Sequence, residues 1–425
     1  MTKTANGING GAVGSDNRAP KTDLLTLAGD ILRQTMNIRD YLEANGIPEP
    51  TFAAGSGAVP QTPEYVLLCA NLKACLEDLA RLVEGPGAFW MSHAYSAIDL
   101  AALQVALRFR FFELVPAQGA ISLPELATKG GLDLDRTGRV VRALLTHRIF
   151  DEKQQGWISH NATSHALHED GDLHSFVDSA LDELFKTASG AADALQAWPH
   201  GADSEHMPFR MRHGLPVFEF YQQNPERAHR FARGMRGATK AWQYIREITE
   251  MTAWFPWGRL QGTVVDVGGG SGYSSIALAK RWDQLYPHLS FVVQDSAGML
   301  AEGAKLLTDD PVKQAAAFLM CNDIHNWRDD DAVKIFKAMV PGLEGSDPDT
   351  PFLVTGVILP ESGTLPRDLE RGMRRLDMTM LLSFGSKERT KAEWEALLKE
   401  ADSRYEIRNA RSDGLLGVLE VYLRR

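Results

Sequence analysis

The densest chemistry in the chain lies in the run Val264-Val-Asp-Val-Gly268-Gly-Gly270-Ser-Gly272. An apolar strand that runs into closely spaced glycines and then a helix lets the backbone turn sharply. It can then approach a ligand that a Cβ would hold off. Gly268, Gly269, Gly270 and Gly272 supply that turn, and Asp295 closes the next apolar run, 27 residues beyond Gly268. An acid in this place accepts both hydroxyls of an adenosine ribose, as in dinucleotide sites. The spacing is GxGxG rather than GxGxxG, and Asp266 stands just ahead of the glycines. A carboxylate there is a poor neighbour for a pyrophosphate and suits a cationic ligand. A glycine turn that binds nothing is the competing reading. The order strand, glycines, helix, strand, acid weighs against it.

Other chemistry-bearing residues speak less clearly. Met373, Met378 and Met380 fill a core or line a pocket, where soft side chains suit an adaptable substrate. Asp377 among them caps a local turn or touches substrate. Arg367, Arg371, Arg374 and Arg375 recur at helical spacing and read first as an ion-paired or solvated face. His165 and His168 lack a third ligand at metal spacing, so no metal is assigned.

The elements that must position these residues can be read from apolar spacing. Residues 1–20, Gly- and Asn-rich, read as a disordered tail. Leu24, Leu25, Leu27, Ile31, Leu32 and Met36 follow a helical period that gives way near Gly46-Ile-Pro48. After a Gly/Pro-rich linker, Val66, Leu67, Ala70, Cys75, Leu76, Leu79 and Leu82 mark a second amphipathic helix, with Cys69 and Cys75 read as packing residues. From about Ala97 to His168 short helices (one starting at Leu123, one over Thr137–Leu145) precede extended segments, Ile149-Phe150 and Trp157-Ile158, around the turn at Lys153–Gly156. That is the pattern of a winged-helix unit. Residues 171–255 are helical and rich in aromatics, a connector placed to cover a pocket. Beyond Pro256, strands at Val264–Val267, Phe291–Val293, Ala315–Met320, Phe352–Leu359 and Gly417–Leu423 alternate with helices. The expected fold is therefore α/β, a mostly parallel sheet with crossover helices over 256–425, preceded by helical units over 21–170.

Composition narrows the function. The 425 residues are 44% hydrophobic and 24% charged, the balance of a soluble globular protein. The net charge of −10 argues against nucleic acid as the main partner. No apolar run reaches the ~18 residues of a membrane span, and the start lacks the apolar core of a secretion signal. Three cysteines fit a reducing, cytoplasmic setting.

Asp266–Gly272 resembles the S-adenosylmethionine loop of class I methyltransferases, and Phe291-Val-Val-Gln-Asp295 resembles their ribose-binding strand end. Asn224-Pro-Glu-Arg227, His325-Asn-Trp327, Ile358-Leu-Pro-Glu361 and Gly385-Ser-Lys-Glu-Arg-Thr390 extend the resemblance to the fungal and plant small-molecule O-methyltransferases. It spans roughly residues 60–425. The resemblance implies a Rossmann-like C-terminal half, a dimerising helical and winged-helix N-terminal half, an intertwined homodimer and a secondary-metabolite substrate. It makes His325 the general base on a substrate hydroxyl, suited by an ordinary pKa of ~6.5. It also makes Glu388 one of the two carboxylates that orient the base; Trp327, beside that base, joins Asp377 and Met378 as the expected residues of the substrate pocket.

Three departures stand out. The second orienting glutamate should fall four residues before Pro360, where this chain has Gly356. Asn322 and Asp323 occupy positions that are usually apolar and line the pocket; Asp323 paired to an arginine is the plain alternative. An extra strand expected between Asp295 and Ala315 has no counterpart. Together these departures resemble the S-adenosylmethionine-dependent pericyclases of fungal pyridone-alkaloid pathways. That branch uses the cofactor's charge rather than its methyl. The resemblance implies that His160 and Asp323 expel water from an alcohol and that Asn322 hydrogen-bonds a carbonyl. On sequence the balance tips narrowly to the pericyclase, with O-methyl transfer as the alternative.

Overall fold

The computed structural model describes residues 23–201, 203–241, 252–270, 272–283, 285–295, 315–412 and 416–425. The expected tail over 1–20 and the expected missing strand over 296–314 lie outside the described residues.

The chain opens with the helix Leu24–Ala44, whose first turn is capped by the Asp23 carboxylate accepting from the Thr26 N–H. Thr62 and Pro63 start a second helix that runs to Arg108 and is broken at Gly85 (φ 72°) before Pro86, which lacks the N–H an unbroken helix needs. The apolar face read from Val66 to Leu82 covers only the first half of this helix, which continues past Ala97, where the sequence reading places the change to short helices. Much of this arm's apolar surface is uncovered: Leu25 is 85% exposed, Trp90 64% and Ile98 63%. The arm is tied to the C-terminal half by a bidentate pair between Arg371 and Glu77, both contacts 2.6 Å.

Next come the helices Leu123–Gly130 and Leu134–Thr146, and a small antiparallel sheet of β1 (Ile121–Ser122), β2 (Asp151–Gln154) and β3 (Trp157–Ser159), ordered β1-β3-β2. Phe111, Phe112, Leu126, Leu144, Phe150 and Ile158 form its core. The helix-then-hairpin order matches the sequence reading, although Ile149 and Phe150 precede the strand. In the connector, helix Gly171–Ser179 leads into a π-helical turn at Ala180–Leu184 and packs against helix Pro225–Ala241. The buried Asp182 and Glu183 of that turn are held by Arg227 and Arg230.

Among the described residues the sheet of the C-terminal half has six strands: β4 (Gly262–Val267), β5 (Leu289–Gln294), β6 (Ala317–Cys321), β7 (Phe352–Gly356), β10 (Tyr405–Ser412) and β11 (Gly417–Leu423). Their order is β10-β11-β7-β6-β4-β5, and the β5-β4-β6-β7 part is parallel. β11 runs antiparallel to both its neighbours, so the sheet is mixed. Alternate residues of β6 serve two cores. Phe318 and Met320 join Phe336, Phe352 and Trp394 on one face; Ala317 and Leu319 join Trp257, Leu278 and Trp282 on the other. Burial on both faces is what a central parallel strand requires.

One expected strand is divided. Phe352–Gly356 stays in the sheet, but β8 (Ile358–Leu359) leaves it to pair in parallel with β9 (Arg389–Thr390). That excursion brings the Gly385–Thr390 segment to the active end of the sheet. β10 was not visible in the sequence because an edge strand reading Tyr-Glu-Ile-Arg-Asn-Ala-Arg-Ser carries little apolar alternation. Among the described residues no helix is long and apolar enough to cross a membrane.

Candidate active site

Two turns at the C-terminal ends of neighbouring strands make the site. The first joins β4 to helix Tyr273–Trp282. Gly268, Gly270 and Gly272 have φ of 69°, 57° and 80°, a left-handed backbone that glycine adopts at little cost. Gly269 is demanded by space: a Cβ there would lie 2.6 Å from Asp266 Oδ2 and 2.8 Å from Val293 Cγ1. The turn is held to β5 by Gly268 N–H on the Gln294 carbonyl and by Gly270 N–H on Asp295 Oδ2, each 2.8 Å. Asp295 therefore stands where the sequence placed it, directly against the glycines.

Asp266 is fully buried beneath this turn. Ser275 Oγ donates to its Oδ2 at 2.7 Å, while Oδ1 has no partner. Burial pushes the carboxyl up to about 6; the Ser275 hydrogen bond opposes this, and the nearby Asp295 and Asp323 charges add to it. An orphaned, desolvated carboxylate under a glycine cradle, with a second acid at the next strand end, fits a ligand that carries positive charge and a ribose. It does not fit a pyrophosphate.

The second turn follows β6. Asn322 takes a left-handed conformation (φ 50°), tolerated by Asn better than by most side chains, and its N–H donates to the Thr355 carbonyl at 3.1 Å. A short 3-10 turn, Ile324–Asn326, then sinks Ile324 into the core and leaves His325 half-buried beside it. His325 Nδ1 lies 2.9 Å from Glu388 Oε1. Glu388 is 2% exposed, its backbone N–H donates to Asp377 Oδ1 at 2.9 Å, and its Oε2 has no partner. Asp377 thus acts on the clamp. Its neighbour Met378 is 49% exposed, whereas Met373 and Met380 are core.

Asp323 joins the two turns. Its carboxyl carbon is 3.0 Å from the place a Gly268 Cβ would take, and its Oδ2 accepts from the Trp327 indole N–H at 3.3 Å. Its hydrogen-bond partner is an indole, not the arginine of the plain alternative. Burial raises its pKa, with the Trp327 hydrogen bond and His325 working against that. Asn322 itself is exposed.

His160 is placed elsewhere. Its Nδ1 meets Ser164 Oγ at 3.0 Å and its Nε2 the Val115 carbonyl at 3.1 Å, both within the N-terminal unit. Burial lowers its pKa to about 4. Both ring nitrogens of His160 are engaged within the N-terminal unit, and neither partner belongs to the two turns. It also stands with its ring centroid 4.9 Å from that of His168 and 5.9 Å from that of His165. This is the third imidazole the sequence lacked, but its committed nitrogens leave no donor for a metal.

Two groups escaped the sequence reading. Phe218, 56% exposed, stacks near Trp327 (centroids 6.2 Å, planes 25° apart) and against Phe384 at 5.5 Å, giving the histidine turn an aromatic lip. The aromatic run Phe218-Glu-Phe-Tyr221 was its only local signal. Arg389 lay inside a motif, yet nothing in the sequence marked it as buried. Three arginines of helix Arg367–Phe384 are ion-paired, Arg367 with Asp78, Arg371 with Glu77 and Arg374 with Glu370.

A mixed, mostly parallel sheet with a glycine turn, an acid at the next strand end and a histidine–glutamate pair at its carboxyl edge defines a class I, S-adenosylmethionine-binding methyltransferase fold. The O-methyltransferase domain family matches residues 193–404, and the O-methyltransferase dimerisation domain family matches 91–170. The chain belongs to the O-methyltransferase family, and S-adenosylmethionine is its cofactor. It is 43% identical to O-methyltransferase sol2 of Alternaria solani over 99% of both chains. It is 28% identical to O-methyltransferase aurJ of Gibberella zeae over 91% of this chain and 94% of that one. Among solved structures, OxaC in complex with sinefungin and meleagrin superposes with a TM-score of 0.75 at 18% identity, covering 96% of this chain and all of that one. LepI in complex with SAM superposes at 0.69 and 17% identity, covering 94% of this chain and 100% of that one. At such identities these two likenesses speak for the fold alone.

Proposed function

We propose that the chain is an S-adenosylmethionine-dependent O-methyltransferase of secondary metabolism, acting as a homodimer in the cytoplasm on a hydroxyl of a polyketide-type small molecule. The observation that carries this reading is the His325–Glu388 pair at 2.9 Å. With Nδ1–H donating to a buried carboxylate, the imidazole is held in the tautomer that leaves Nε2 as acceptor for a hydroxyl proton. Glu388 fixes the ring and stabilises the imidazolium once the proton has moved, without taking that proton itself. When bound, the cofactor supplies an electrophilic methyl on a sulfonium. Asp266 and Asp323 offer negative charge along the glycine turn, Asp295 offers the acceptor for a ribose, and Trp327 with Phe218 offers an apolar face that excludes water.

The pericyclase reading is supported by one specific feature, Asp323 seated against Gly268. A carboxylate there favours a cation that stays charged over one that gives up its methyl. In its protonated form, which burial favours, the same group is an acid suited to the expulsion of water from an alcohol beside a pyridone. Mass spectrometry with methyl-labelled cofactor and a pool of fungal polyketide phenols and pyridone alcohols separates the two. Labelled product, lost in His325→Ala and kept in Asp323→Asn at saturating cofactor, supports methyl transfer. Unlabelled cyclised product that needs both the cofactor and Asp323 overturns it.

A further inference from the structure

The segment Gly385–Thr390 reaches the histidine turn from a distance of some sixty residues and holds it through Ser386, Glu388 and Arg389. Ser386 Oγ donates to the His325 carbonyl at 2.5 Å, and Glu388 holds the His325 ring. Arg389 lies between them and the helix that follows. Its guanidinium is fully buried, an unusual position for a group whose charge water solvates strongly. Four donor contacts compensate. Nη1 donates to the Ile324 carbonyl at 3.2 Å, Nη2 to the Trp327 carbonyl at 2.9 Å, and Nε and Nη2 to Asp329 Oδ1 at 2.9 and 2.7 Å. The two carbonyls bracket His325 on either side. Asp329 opens helix Asp329–Gly345 and is also paired with Lys387 at 3.0 Å.

We infer that Arg389 is a positioning residue for the base: its planar fork fixes the backbone on both sides of His325, so that the ring meets Glu388 in one orientation. The inference rests on the reading of His325 as base, but its structural content does not depend on the reaction. The fork geometry is what the site needs. A lysine carries the same charge on a single nitrogen and cannot span two carbonyls and a carboxylate at once. The anchor of the fork is equally defined. Arg389 begins β9, whose backbone is paired to β8, and Thr390 caps the helix Lys391–Ala401 in a capping box with Glu393. The guanidinium therefore transmits the position of a rigid strand and helix start to the otherwise irregular turn that bears His325.

The test is a proton spectrum of the full-length protein, with ring-nitrogen-labelled histidine, in which the carboxylate-bonded imidazole N–H of His325 is assigned by its loss in Glu388→Gln. In Arg389→Lys that resonance is expected to disappear or to exchange with water at least ten times faster, while titration calorimetry gives the wild-type affinity for S-adenosylmethionine. Asp329→Ala, a change at a half-exposed carboxylate that removes two of the four contacts, is expected to speed exchange by a smaller factor and serves if Arg389→Lys does not fold. An unchanged resonance in either folded variant overturns the inference. Failure of the wild-type protein to methylate anything would overturn the proposed function and leave this result standing.

Discussion

The two turns of the site sit at the ends of adjacent strands, β4 and β6, yet they are built on opposite plans. The glycine turn is made by backbone: three left-handed glycines, a fourth with no room for a Cβ, and two acids supplied within thirty residues. The histidine turn is made by side chains from far along the sequence. Glu388, Ser386 and Arg389 lie sixty or more residues from the groups they hold. The first plan gives a cradle that any side chain would damage. The second gives a base whose orientation can be altered without disturbing the cradle. If that separation is real, substitutions should divide cleanly between cofactor affinity and turnover.

The largest expected effect is on turnover alone. His325→Ala should lower labelled-methyl transfer by about 10²–10⁴-fold, the usual contribution of a positioned base. Its affinity for S-adenosylmethionine, read by calorimetry, should stay within about twofold of wild type, because among the described residues the hydrogen bond of the histidine ring goes to Glu388 and not to the glycine turn. A parallel loss of affinity would merge the two turns into one unit. The converse substitution is Gly269→Ala. A methyl that must displace Asp266 and Val293 overpacks the turn by roughly 1–3 kcal/mol, which converts to about 5–150-fold weaker cofactor binding. The His325–Glu388 resonance should persist in that variant.

The next effect is a pH dependence that belongs to the cradle. Asp266 is ordinarily an acid of 3.8 and is raised to about 6 in the folded protein by burial. Its folded form therefore holds a proton that the unfolded chain has already lost, so the ligand-free protein should lose stability as pH rises from about 4 to about 6. A cationic ligand prefers the carboxylate. Cofactor affinity should then rise by up to about tenfold per pH unit below 6 and level off above it. Asp266→Asn should flatten most of that rise, leaving a smaller slope from Asp323, whose pKa is raised by the same cause. Calorimetry between pH 5 and 8 reads both. An affinity that falls with rising pH would mean that the cradle does not hold a cation.

The same contrast explains what the sequence made legible. The glycine turn, Asp266 and Asp295 could be read from residues alone because their chemistry is local and ordered along the chain. The sheet was legible strand by strand where apolar runs were buried on both faces, as in β6, but not at the polar edge strand β10 or where β8 leaves the sheet. Glu388 was reached only through resemblance, since no local pattern tells a reader that a lysine–glutamate–arginine run will fold back onto a distant histidine. The same limit hid Arg389 and Phe218. His160 was likewise reached only through resemblance, and its local sequence gave no sign that Ser164 and the Val115 carbonyl engage both its ring nitrogens.

The smallest expected effect concerns Gly356, the position where relatives were expected to carry a second orienting carboxylate. It ends β7, beneath the histidine turn, and its backbone is not left-handed, unlike Gly385 at φ 65°. A Cβ at Gly356 would meet only Trp394 Cζ2, at 3.6 Å, an ordinary contact; at Gly385 it would strike Met207 Sδ at 2.7 Å. The site is therefore closed to a side chain at one glycine and open at the other. A glycine inside a strand costs conformational entropy that alanine does not. Gly356→Ala should stabilise the protein by about 0.4–1 kcal/mol, a rise of roughly 1–3 °C in Tm, with the His325–Glu388 resonance unchanged. Gly385→Ala should lower Tm, and it should weaken that resonance before it affects cofactor affinity. Should Gly356→Ala prove destabilising instead, the gap at β7 would be an occupied part of the pocket. The missing carboxylate would then have been exchanged for room, and the histidine turn could no longer be treated as the side-chain half of two separate plans.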